Sequence, residues 1–271
     1  LPGEARPLAE RALVIDEAAY GPDHPSVAIS LNNLALVLKG LGLPGEARPL
    51  AERALVIDEA AYGPDHPDVA IRLSNLALVL QDLGLLGEAR PLAERALAIG
   101  EAAYGPDHPS VAISLNNLAL VLQDLGLPGE ARPLAERALA IDEAAYGPDH
   151  PTVAIRLNNL ALVLQDLGLS GEARPLAERA LAIGEAVHGP DHPDVAISLS
   201  NLALVLQDLG LLGEARPLAE RALAIDEAAY GPDHPTVAIR LNNLARMLQD
   251  LGLPGEAHPL VVRADRIRAG S

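Results

Sequence analysis

The stretch Gly63-Pro64-Asp65-His66-Pro67-Asp68-Val69-Ala70-Ile71-Arg72-Leu73-Ser74-Asn75-Leu76-Ala77-Leu78-Val79-Leu80-Gln81-Asp82-Leu83-Gly84 decides the fold. It opens with a breaker. Gly63 can take the left-handed C′ position of a preceding helix, and the two prolines stop that helix from continuing. Val69, Leu73, Leu76, Ala77 and Leu80 then recur at i, i+3, i+4 spacing. That spacing predicts a helix from about Asp68 to Leu83, with Asp65 or Asp68 available to cap its free N–H groups. Gly84 ends it, and Leu85-Leu86-Gly87 turns the chain back. Upstream, Glu46 to Tyr62 carries a second pattern, with Ala47, Leu50, Ala51, Ala54, Leu55 and Ile57 as its apolar stripe. Arg48, Glu52 and Glu59 lie off that stripe and are expected in solvent, and Pro49 is expected in the first turn, where its missing N–H costs nothing. The upstream helix is called B and the quoted one A.

The same text returns throughout the chain. The segment that begins Leu-Pro-Gly-Glu-Ala at position 1 recurs at 43, 85, 127, 169, 211 and 253, a step of 42 residues. Residues 85–168 and 169–252 differ at only eight of 84 positions, for example Tyr104 against His188 and Leu162 against Arg246. This periodicity outranks length as a guide to architecture. The expected fold is all-α: an α-solenoid superhelix of antiparallel helix pairs, 13 helices in one repeat domain over 1–271. An orphan helix B spans 4–20, followed by A/B pairs at 26–62, 68–104, 110–146, 152–188, 194–230 and 236–268. Neither helix of a pair can bury its apolar face alone, so stacking must supply a continuous core. Small residues such as Ala77, Ala89 and Ala96 let backbones approach at the crossings. In the last helix, Val261, Arg263, Arg266 and Arg268 read as replacements that form a solvating cap.

Composition supports this and excludes several functions. Of 271 residues 49% are apolar, yet there is no Phe, no Trp and only five Tyr, so aliphatic side chains must fill the interior. The formal charge of −17 argues against a phosphate-backbone or anionic-lipid partner, both of which need a basic surface. Cysteine is absent, which removes disulfides and thiolate metal sites. No apolar run approaches the ~20 residues that span a bilayer. The start falls inside a repeat, so the chain reads as an excerpt of a longer protein, soluble and cytoplasmic. Lys39 is the sole lysine among 20 basic residues, a bias that points to a GC-rich bacterial genome.

Asp68-Val69-Ala70-Ile71-Arg72-Leu73-Ser74-Asn75-Leu76-Ala77, followed by Gly84, Glu88-Ala89 and Glu94-Arg95-Ala96-Leu97, resembles a tetratricopeptide repeat. The family's pattern of large, Leu, small and aromatic in helix A, and of paired Ala in helix B, falls on Leu73, Leu76, Ala77, Leu80, Ala89 and Ala96. The long period and the Gly-Pro-Asp-His-Pro link resemble the kinesin-light-chain subtype. Leu80 and Ala93 stand where the family usually has aromatics, which implies a shallower or narrower groove. The resemblance implies a superhelix whose A helices line a concave groove for an extended peptide or a partner protein. In bacteria such repeats resemble the sensor portion of signalling ATPases.

The groove face follows from about 100° of turn per residue. With Leu73 at zero, the packing residues cluster within about 60°, Gln81 and Ser74 fall near 80–100°, Leu78 and Ile71 near 140–160°, Asn75 and Asp82 near 180–200°, and Arg72 near 260°, towards a neighbouring helix. Repetition makes each position a ladder: Asn33, Asn75, Asn117, Asn159, Asn201 and Asn243; Gln81, Gln123, Gln165 and Gln207; Leu78, Leu120 and Leu162; Asp82, Asp124, Asp166 and Asp208. Carboxamides can pair with the backbone of an extended peptide or can satisfy groups between helices. The aspartates suggest a basic partner.

Chemistry beyond binding finds no support in the residues. His24, His66, His108, His150, His192 and His234 occupy equivalent loops. Adjacent repeats are offset by about 8–10 Å, too far for two such loops to share one zinc ion. No catalytic, metal or cofactor-binding residue is therefore assigned. Acid pairs such as Asp58-Glu59 and Asp142-Glu143 read as a solvated face, and no phosphate loop, nucleophile elbow or zinc-protease motif is present. Tyr20, Tyr62, Tyr104, Tyr146 and Tyr230 close the B helices and are expected to pack on the following loop. The leading reading is a non-enzymatic scaffold that binds protein or peptide. The alternatives are an array that self-associates end to end through its unpaired first helix, and a regulatory part of a larger ATPase.

Overall fold

A computed structural model describes residues 2–270; Leu1 and Ser271, the ends of the expected 1–271 domain, lie outside the described residues. Thirteen helices and no strand are present among them. The B helices are α1 (Pro2–Tyr20), α3 (Pro44–Tyr62), α5 (Leu86–Tyr104), α7 (Pro128–Tyr146), α9 (Ser170–His188), α11 (Leu212–Tyr230) and α13 (Pro254–Gly270). The A helices are α2 (Pro25–Gly40), α4 (Pro67–Asp82), α6 (Pro109–Asp124), α8 (Pro151–Asp166), α10 (Pro193–Asp208) and α12 (Pro235–Asp250). None is long and apolar enough to cross a membrane among the described residues. Two compact units, 1–141 and 142–271, partition the contacts.

The helix ends differ from expectation in an instructive way. The A helices begin at the proline of Asp-His-Pro, and the cap is the histidine instead of an aspartate. His66 Nδ1 accepts the Asp68 N–H at 3.2 Å while Pro67, whose fixed φ suits the first turn, needs no partner. Tyr62 stacks on the same imidazole with centroids 4.7 Å apart. The B helices begin earlier than predicted, so Pro49 lies inside the helix and not in its first turn. The carbonyl this proline leaves unpaired belongs to exposed Gly45, where water can take its place. Helix A closes with a Schellman pattern: the Leu85 N–H reaches Leu80 O at 2.9 Å and the Gly84 N–H reaches Gln81 O at 2.9 Å, with Gly84 at φ 71°. Gly63 adopts φ 88°, ψ 160°, a region in which only glycine is unstrained.

Each core is a joint product of neighbours. Val69, Ala70 and Leu73 of α4 pack with Ala96 and Ile99 of α5, and Leu55 of the preceding α3 completes the cluster. Ala77, Ala89 and Ala96 are fully buried at the crossings. Within the first unit, Cα atoms of α2 and α4, and of α4 and α6, come within 8 Å, whereas α3 and α5 make no such approach. In the second unit α10 likewise meets α8 and α12, and α9 and α11 stay apart. Closer A helices and wider B helices make the A side the inner face of each unit.

Arginines bridge the wider side. Arg95 of α5 donates to Glu59 of α3 and to the Pro64 carbonyl, both at 2.6 Å. Arg48 spans Glu52 at 2.7 Å and Glu88 of the next B helix at 3.0 Å. The hydrogen bond to Glu52, opposed by partial desolvation and aided by Glu88, raises the Arg48 guanidinium above its ordinary value. Arg48 and Glu59, expected in open solvent, are thus inter-repeat connectors, and Glu52 is tied to Arg48 within its own helix. Arg263 is also such a connector, to Glu227 and the Pro232 carbonyl, so it keeps the usual role and is not part of a cap substitution.

Because stabilising contacts run only between neighbours, excising two 42-residue repeats, residues 85–168, is expected to leave a cooperatively folded helical protein with a lower Tm. Far-UV circular dichroism would check it; loss of helicity per residue would contradict nearest-neighbour stabilisation.

Candidate functional site

Four positions of each A helix, at i, i+4, i+7 and i+11, form the inner face: in α4 these are Ile71, Asn75, Leu78 and Asp82. Asp82 is exposed, Asn75 and Leu78 are half-buried, and Ile71 is 50% exposed. The expected Asn, Leu and Asp ladders all lie on this face. Asn75 is engaged as well: its Nδ2 donates to Asn32 Oδ1 of the preceding A helix at 2.8 Å.

The Gln and Asp ladders, read separately from sequence, are one construction. Gln81 Nε2 donates to Asp124 Oδ2 at 2.6 Å, Gln165 to Asp208 at 2.6 Å, and Gln207 to Asp250. Lys39, at the glutamine position of α2, pairs with Asp82 at 3.1 Å. A single-helix wheel points Gln and Asp in different directions; only stacking sets the Gln of one repeat against the Asp of the next. These links leave the carboxylates exposed at the C-terminal end of the inner face.

The N-terminal half of the face is apolar. Ile29, Ile71, Ile113, Ile155, Ile197 and Ile239 are 46–54% exposed in corresponding positions. Between them the repeats alternate. Asp58 of α3, 1% exposed, accepts from Arg72 Nε at 2.8 Å, and the Asp142–Arg156 pair repeats this at 2.8 Å. These acids are buried, not part of a solvated face as expected, and the outlying angle of Arg72 corresponds to its reach back to helix B. In the intervening repeats the same two positions hold Gly100 with Ser114, and Gly184 with Ser198. There the space stays open. A pocket of about 270 Å³ lies beside Gly100, walled by Ala70, Ile71, Ile113 and Tyr104 above Ser74 and Ser114. Another, of about 460 Å³, lies beside Gly184, walled by Ala154, Ile155 and Ile197. Its lining includes Asn158, 7% exposed, whose Nδ2 donates to Ser198 Oγ at 2.9 Å and whose Oδ1 has no partner. The helix wheel places Ile71 beside Leu78, but its recurrence as a row and the pockets were not singled out from sequence. The signal available was covariation along the repeats: Arg at the Arg72 position occurs only with Asp at the Asp58 position, and Gly only with Ser.

Comparison with known proteins gives a consistent result. The tetratricopeptide repeat profile matches residues 2–59, 32–84, 68–144, 110–183, 152–228 and 194–268. A Podosopora anserina protein, described as a kinesin light chain of nearly identical TPR-like repeats, is 31% identical, with 76% of this chain and 97% of that one covered and a TM-score of 0.61. BtubC from P. vanneervenii is 24% identical over 84% of this chain and 87% of its own, with a TM-score of 0.63. The apo form of RapI is 17% identical over 90% and 85%, with a TM-score of 0.68. The last two show likeness of fold alone. No curated protein matches the sequence.

The alternation makes a quantitative expectation. Removing one partner of a buried ion pair strands the other, so Asp58→Ala should cost about 3–5 kcal/mol. The double exchange Asp58→Gly with Arg72→Ser, which reproduces the Gly100–Ser114 arrangement, should cost only about 1 kcal/mol, mostly from a helical glycine. Urea unfolding of the single and double variants measures the coupling; additive costs would contradict it.

Proposed function

Because the chain belongs to the tetratricopeptide repeat family, whose members generally mediate protein–protein interactions, we propose that it is a non-enzymatic scaffold whose A-helix face receives an extended segment of a partner protein. The observation that carries this reading is the row of half-exposed isoleucines flanking the pockets at Gly100 and Gly184. Such a row with concave apolar pockets suits aliphatic side chains projecting from an extended backbone, and the Asn positions beside it can bond peptide groups. The exposed Asp row and the net charge of −17 favour a segment that also bears Arg or Lys.

Selection of random displayed peptides against the whole chain tests this. The expected ligands pair aliphatic residues with basic ones. Filling both pockets by Gly100→Asp, Ser114→Arg, Gly184→Asp and Ser198→Arg should weaken them at least tenfold, since each buried aliphatic side chain is worth about 1.5–3 kcal/mol. Replacing Asp124, Asp166 and Asp208 by Asn should flatten the salt dependence of binding. Unchanged affinity in the filled variant would refute the pockets as receptors.

A further inference from the structure

One helix corner departs from its counterparts. Where α9 ends and α10 begins, His188 stands where the other corners have tyrosine, and its ring stacks on the capping His192 with centroids 4.7 Å apart and planes at 23°. Asp194 follows in the first turn of α10. His192 Nδ1 lies 3.6 Å and His188 Nε2 3.8 Å from the same oxygen, Asp194 Oδ2. One ligating atom from each of these three residues can be chosen so that all lie within 4.8 Å of one another, the sole such group of three among the described residues. Asp68 occupies the position of Asp194 in an earlier corner, but there the partner ring is Tyr62. Of the eight differences between residues 85–168 and 169–252, two, Tyr104 against His188 and Ser110 against Asp194, create this cluster.

We propose that His188, His192 and Asp194 form a binding site for a divalent transition cation of the zinc class. Two imidazole nitrogens with one carboxylate favour Zn²⁺ over Mg²⁺ or Ca²⁺, which take oxygen ligands. Ligands about 2.0–2.2 Å from a tetrahedral ion stand roughly 3.3–3.6 Å apart, so the two distances to Asp194 need to close by only a few tenths of an ångström. The stacked imidazoles must turn to converge on one ion. All three side chains are exposed enough to do so, and the backbone beneath them is set by two helix ends. His192 Nδ1 also accepts the Asp194 N–H at 3.2 Å, so coordination either displaces this cap or uses Nε2 after the ring turns over. Spacing between repeats forbids one ion shared by His192 and its counterparts; it places no bar on His188, which shares the corner. Three protein ligands leave a tetrahedral ion one open position. His188 and Asp194 also line the pocket beside Gly184, which sets the ion at its rim.

Isothermal titration of the whole chain, free of any polyhistidine tag, with ZnCl₂ tests the site. The expected result is a single ion per chain. His188→Tyr and Asp194→Ser install residues that the equivalent corner already carries, so folding is preserved, and each should lower affinity at least tenfold for the loss of one ligand. Conversely, Tyr104→His with Ser110→Asp should build a second site and double the stoichiometry. Absence of zinc binding by the unaltered chain, or retention of full affinity in His188→Tyr, overturns the proposal.

Discussion

Everything in this molecule depends on apolar burial that no helix pair can complete by itself. The cluster around Leu73 needs Ala96 and Ile99 from the helix that follows and Leu55 from the one before, and the clusters around Leu31, Leu115, Leu199 and Leu241 are built alike. Aliphatic residues suffice because alanine crossings bring backbones close, which leaves little volume for an aromatic ring to fill. The inner face inherits its form from the same packing: only half the surface of each A helix is consumed by neighbours, and the isoleucine at the Ile71 position falls on the other half.

Polar groups then fix what burial leaves free. Apolar contact is tolerant of sliding and rotation, whereas the forked bonds of Arg95 to a carboxylate and a loop carbonyl, or of Arg48 to two glutamates, hold one geometry between repeats. This gives a structural reason for the scarcity of lysine: a planar guanidinium reaches two separated acceptors with oriented donors, where an ammonium is a point charge. The exposed bridges add little stability individually. Their contribution is register. Gln81 on Asp124 performs the same task on the inner side.

Secondary structure and architecture were legible in the sequence because both depend on local spacing. The i, i+3, i+4 apolar pattern and the Gly-Pro punctuation place all thirteen helices to within a few residues. Finer errors came from interactions that periodicity does not encode. His66 was an unexpected cap because its side chain competes with aspartates one and two residues away, and the outcome turns on ring geometry and on the stacked Tyr62. The site was half legible. Rotation about a helix axis put Asn75, Leu78 and Asp82 on one face, but it is blind to what the next repeat brings, so the link from Gln81 to Asp124 and the burial of Asp58 under Arg72 went unseen. Near-identity of the repeats drew attention to what they share, while the pockets arise from what alternates.

That alternation bears on how such a chain can change over generations. Near-identical tandem text invites copying errors that add or delete whole units during recombination. A slip of 84 residues inserts one filled and one open position and leaves their order intact. A slip of 42 sets two open positions, or two filled ones, side by side. The arrangement of receptive positions along the inner face can therefore be rewritten in a single genetic step, with no residue altered and no helix junction of a new kind created. Length and recognition become separately heritable traits.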